Sequence, residues 1–70
     1  MRVDLGDLVM LRPAAVETLL EQGYDVEGLI AEVVDGRTVP DGYDLTLKFD
    51  GIKTLITQVP VQFVQHVAVS

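Results

Sequence analysis

Between Tyr43 and Asp50 apolar and polar residues alternate without a break. Leu45, Leu47 and Phe49 share one side, and Asp44, Thr46, Lys48 and Asp50 share the other. A period of two marks a half-buried β-strand. Asp50-Gly51 follows, a pair favoured in two-residue type I′ turns, where both positions need positive φ. The pattern predicts a hairpin into a strand over Ile52–Gln58, closed by Pro60. Val61 to Phe63 read as a short 3₁₀ turn and Val64 to Val69 as the last strand. Upstream, Gly6-Asp7 opens a first strand, Leu8 to Arg12, and Gly28 precedes a second, Leu29 to Asp35. Gly36, Pro40, Asp41 and Gly42 predict an irregular loop between the second and third strands.

One segment changes period. From Ala14 to Gln22, Val16, Leu19 and Leu20 form one stripe, with Glu17, Glu21 and Gln22 opposite. Pro13 suits the first helical position, where no N–H is needed, and Gly23 stands where a left-handed C-terminal cap belongs. A helix of about ten residues does not persist alone in water, so its stripe must lie on the strands. Strand, helix-bearing loop, strand, loop, strand, tight hairpin, strand, short turn, strand is the plan of a five-stranded SH3-like barrel, an all-β fold with a short helix in its first long loop. The alternative is a five-stranded OB-type barrel, which usually carries longer strands and a helix between the third and fourth. Here that place holds only Asp50-Gly51.

The hairpin also sets the faces. A two-residue turn pairs Phe49 with Ile52, Leu47 with Thr54 and Leu45 with Ile56, leaving Leu55 outside beside Lys53 and Thr57. On the second strand Glu32 must face water, so Leu29, Ala31 and Val33 point inward while Ile30 and Val34 point outward. On the first, Val9 and Leu11 point inward and Leu8 and Met10 outward. Leu8, Met10, Ile30 and Val34 thus gather on the outer face of two neighbouring strands. A contiguous apolar group there marks an interface, or else a surface covered by the N-terminal segment or the helix folding back.

Composition narrows the chemistry. Seventy residues suit one domain, 1–70, and eleven acids against five bases give a net charge of −6. Arg2, Arg12, Arg37, Lys48 and Lys53 are scattered, whereas phosphate backbones demand clustered cations, so no nucleic-acid partner is expected. With no cysteine there is neither a disulfide nor a thiolate metal site, and the lone His66 cannot build a zinc site alone. The charged start MRVDLGDLVML is unlike a signal peptide, and no apolar run reaches the roughly 20 residues a membrane span needs. A cytoplasmic protein without membrane contact is expected.

No nucleophile motif, phosphate-cradling glycine loop or metal-ligand cluster occurs, so neither an enzyme, a cofactor nor a metal is expected. Asp41-Gly42-Tyr43-Asp44 offers two carboxylates, far short of the six to eight oxygens of calcium, and reads as a solvated turn. Glu17 and Glu21, one helical turn apart, read as a solvated helix face. His66 is expected to be partly buried and bonded to backbone. Tyr24 and Tyr43 flank the two loops, as caps of the barrel ends or as a small binding ledge.

Gly6-Asp7-x-Val9-x-Leu11, with Tyr24-Asp25-Val26-Glu27-Gly28-Leu29-x-Ala31-Glu32-Val33-Val34, resembles the opening of translation-type SH3-like domains, which include KOW modules. Within that group the chain is most similar to the variable-chain family of ferredoxin–thioredoxin reductase, which shares a later strand like Leu47-Lys48-Phe49-Asp50. The likeness spans most of the chain and rests on fold-determining glycines and alternating apolar residues. Ala31 stands where that family has glycine, and both long loops are shorter. The resemblance implies a non-catalytic barrel that supports a larger protein. The expected function is a protein–protein interaction module, an accessory or self-associating subunit, with Leu8, Met10, Ile30, Val34 and Leu55 as its interface. The alternative is an acidic decoy, of the kind phages encode, that blocks a nucleic-acid-binding protein.

Overall fold

A computed structural model describes residues 3–67. Five antiparallel strands and one short helix follow one another as β1 (Leu8–Leu11), α1 (Pro13–Glu21), β2 (Ala31–Val39), β3 (Gly42–Phe49), β4 (Ile56–Pro60), a 3₁₀ turn (Val61–Phe63) and β5 (Val64–His66). The sheet order is β4-β3-β2-β1-β5, with β5 returning beside β1 and no pairing recorded between β4 and β5. The fold is therefore all-β with one helix, built on a sheet that is not closed by hydrogen bonds. The expected continuation of β5 over 68–69 lies outside the described residues.

Every strand sends side chains into one core. Val9 and Leu11, Ala31 and Val33, Leu45, Leu47 and Phe49, Ile56 and Val59, and Val64 are all buried. Ala15 and Leu19 of α1, and Val26 after it, complete the cluster. Spaced four apart, Ala15 and Leu19 lie on one stripe with Val16 beside them. The expected stripe was one position off, for Leu20 is 56% exposed. The helix ends as its sequence requires: Gly23 has φ +95°. Tyr24 N–H donates to the Leu19 carbonyl and Gly23 N–H to that of Leu20, the paired bonds of a Schellman motif. Tyr24 and Leu19 meet the same core, which adds the hydrophobic contact usual to that motif.

The stretch expected to be an irregular loop is instead strand. β2 runs through Gly36 to Val39, and Val39 pairs with Gly42 around Pro40-Asp41. Gly36 persists in the strand because a side chain there would collide with the Tyr43 ring, whose atoms lie 2.6–2.9 Å from an ideal Cβ position. The aromatic ring covers the backbone that glycine leaves bare. A register shift between Val33 and Asp35 makes Val34 the extra residue of a bulge. Without it the alternation would turn Asp35 inward. With it Asp35 stays exposed and accepts a 2.8 Å bond from Gly36 N–H.

The turn after β3 also departs from expectation. Ile52 N–H donates to the Phe49 carbonyl, yet only Gly51, at φ +84°, has positive φ in the pair. A type I′ turn needs two such residues. The chain then leaves the sheet, and β4 begins only at Ile56. Leu47 consequently faces Ile56 rather than Thr54, and Leu45 faces Val59 rather than Ile56. Two residues of β3 are matched by three of β4, so a second bulge lets both Ile56 and Val59 point inward. Gln58 carries the cost, at φ +60°. Left-handed backbone disfavours any residue with a Cβ by roughly 1–2 kcal/mol. Gln58→Gly is expected to raise stability by about 0.5–1 kcal/mol, glycine's greater unfolded-state entropy offsetting part of the relief. A urea midpoint that falls would mean the Gln58 side chain holds the bulge.

Candidate functional site

The outer face of β1 and β2 carries the exposed apolar residues that the alternation placed there. Leu8 is 45% exposed and Ile30 41%. Leu8 lies directly opposite Glu32 on β2, which places Ile30 and Val34 on its two diagonals. Met10 and Val34 are half-buried, Met10 beside Gln65 of β5 and Val34 on its bulge. Leu55 is exposed, in the irregular stretch before β4, and does not line the same hollow as Leu8 and Ile30. The five expected interface residues therefore divide into a centre at Leu8 and Ile30, flanks at Met10 and Val34, and an outlier at Leu55.

An open hollow of about 610 Å³ adjoins that centre. Leu8, Ile30 and Ile52 supply apolar walls, while Glu32, Lys48, Asp50 and Lys53 stand around it. Local folding explains the shape. Asp50 N–H donates to the Ile30 carbonyl, which pins the turn against the start of β2. The departure of the chain after Ile52 then leaves a space beside the outer face. Alternation set Lys48 and Asp50 on the outer side and Lys53 outside as well, but it did not show that they gather around one hollow, which depends on the turn pinned against β2. The register does make Glu32 and Lys48 direct cross-strand partners, two opposite charges set among apolar neighbours.

Leu8 and Ile30 stay exposed on this face, although the turn through Gly6 and Asp7 is hydrogen-bonded to Val33, next to the half-buried Val34. Helix α1 turns Ala15 and Leu19 into the core, and Val3 packs against the same core. Tyr24 and Tyr43 are placed apart. Tyr24 packs on the core, whereas Tyr43 lies over Gly36 and lines a different hollow with Val39, Pro40, Asp41, Asp44, Pro60 and Gln62. That second hollow does not include Tyr24.

His66 is more exposed than expected, and its partner is a carboxylate rather than backbone. Its Nε2 lies 3.1 Å from Asp7 Oδ2. Since a carboxylate only accepts, the imidazole donates. Asp7 also accepts from the Asp4 N–H at 2.9 Å, in a turn where Asp7 N–H donates back to the Asp4 carbonyl. The Asp4 backbone bond, then the hydrogen bond and charge of His66, hold the Asp7 carboxyl below the usual aspartate value. A carboxyl depressed in the folded state adds stability above its ordinary range, and that stability is lost as pH falls through the lowered value. Asp7→Asn should therefore lower stability at neutral pH, with the difference from wild type vanishing in acid. A difference that grows on acidification in denaturation curves would contradict the assignment. The pair ties the end of β5 to the start of β1 at the surface. Among the described residues, no three His, Asp or Glu side chains are grouped to hold a metal ion.

No helix among the described residues is long and apolar enough to cross a membrane. No protein family, curated protein or solved structure matches this chain.

Proposed function

We propose that this chain is a non-catalytic protein-interaction module of SH3-like barrel type, which binds a protein partner through the outer face of β1 and β2. The barrel reading is supported by the order β4-β3-β2-β1-β5, with the last strand returning beside the first. It is also supported by two bulges, which bend strands and increase their twist. The functional reading rests on one observation: Leu8 and Ile30 stand exposed together beside an open hollow, uncovered by the described parts of the chain. Burying such a surface against a partner stabilises the complex by roughly 25 cal/mol per Å² before association costs. With dispersed cations and a charge of −6, nucleic acid is not the partner proposed.

The test compares wild type with Ile30→Asp, both immobilised as bait in lysate of the native host. A protein retained by the wild type and lost by the folded variant supports this face. Equal capture by both removes the face from the interaction. Micromolar RNA or duplex DNA binding that weakens steeply with salt would overturn the choice of partner class.

A further inference from the structure

The hollow beside Leu8 and Ile30 differs electrically from the rest of the molecule. The chain has two lysines, Lys48 and Lys53, and both line it. They share it with two acids, Glu32 and Asp50. Its charged rim is thus balanced on a chain whose net charge is −6. A basic foreign partner would be drawn to the acidic remainder of the surface rather than to this balanced rim. A second copy of this acidic chain meets the reverse situation. Most approaches bring like charges together, and this balanced rim is where two copies can approach without net repulsion.

Balance also satisfies the symmetry of self-association. In a twofold contact the same patch serves both partners, so a residue on one copy meets its counterpart site on the other in both directions. An all-acidic or all-basic patch cannot do this, whereas a patch with two acids and two bases can. We infer that the partner of this face is a second copy of the chain. The two copies dock about a twofold axis, so that Lys48 and Lys53 of each meet Glu32 and Asp50 of the other around apposed Leu8 and Ile30 side chains. This inference rests on the proposed function and names its partner.

The experiment is a charge swap followed by sedimentation velocity on the full chain. Wild type should sediment as a concentration-dependent monomer–dimer mixture. The variant K48E/K53E, with four acids on the rim, and the variant E32K/D50K, with four bases, should each lose self-association by about tenfold or more in dissociation constant. Mixed together they should form a heterodimer. The control R12E/R37E carries the same net charge as K48E/K53E with both changes away from the hollow, and should dimerise as wild type does. All substituted positions are exposed, and circular dichroism confirms folding before each measurement. A pair of variants that stays monomeric on mixing, or a control that loses dimer as fully as K48E/K53E, overturns the inference. So does a wild type that remains monomeric throughout. If a monomeric wild type still captures a protein that Ile30→Asp does not, the interaction face stands and only its occupant changes.

Discussion

Val33→Asp is expected to unfold the domain, while the same replacement three residues earlier, Ile30→Asp, should leave it folded. Val33 is 1% exposed and faces Leu47 across the sheet, whereas Ile30 is 41% exposed on the opposite face. A carboxylate at Val33 would have no cation within the core, because no polar or charged residue among those described is buried. Breaking charge compensation in a protein interior costs about 3–5 kcal/mol. A core of this size rarely supplies more than about 3–5 kcal/mol in total, so the folded state is lost. At Ile30 the new carboxylate stays in water and costs little. Far-UV circular dichroism and urea denaturation on both variants make the comparison. If Ile30→Asp unfolds as Val33→Asp does, Ile30 belongs to the core and the outer face is not an apolar surface.

Phe49→Ala is expected to cost about 3–5 kcal/mol, enough to bring the domain to the edge of unfolding at room temperature. Phe49 heads the fully buried side chains by volume and is 1% exposed. Its direct cross-strand partner is Ala31, also buried. The pairing explains the magnitude. The ring occupies space that the small side chain opposite leaves open, so nothing large stands ready to fill the vacancy after truncation. A companion variant, Phe49→Ala with Ala31→Leu, should recover part of the loss if the two side chains share one volume. Additive destabilisation in the double variant would mean that they pack independently.

Parity along the strands was legible because it depends only on local alternation. Glu32 alone orients β2, and Val9, Leu11, Ala31, Val33, Leu45, Leu47 and Phe49 are all buried as alternation requires. Parity also survived an error of register. Ile56 was placed inward opposite Leu45, and it is inward opposite Leu47, because a displacement by two residues preserves the face. The extra residues of the two bulges had no such signature. Val34 looks like any outward valine, and nothing in Thr57-Gln58 announces left-handed backbone. Gly36 misled in the other direction, since glycine marks a break unless an aromatic ring covers it, and Tyr43 lies seven positions away. The pair His66–Asp7 spans 59 positions and follows only from knowing that β5 returns to β1. The apolar centre of the candidate site was readable for the same reason as the core. Its charged residues were placed outward by the same alternation, but their gathering around one hollow was not legible, because it depends on a turn and an irregular segment.

The kink at Gln58 has a consequence for how this protein fares when crowded. β4 and β5 end the sheet on its two sides, each with one row of backbone groups unpaired by a neighbouring strand. A foreign strand can extend a sheet only along a straight row of free N–H and C=O groups. On β4 that row is bent by the left-handed Gln58 and interrupted at Pro60, which has no N–H to offer. On β5 it is three described residues long. The strained glutamine thus resists the growth of stacked, fibril-like sheets from the folded state, at a cost to stability that Gln58→Gly would recover. That variant should be more stable in urea and, because glycine keeps the same left-handed kink without the strain, no quicker to form thioflavin-positive fibrils at high concentration.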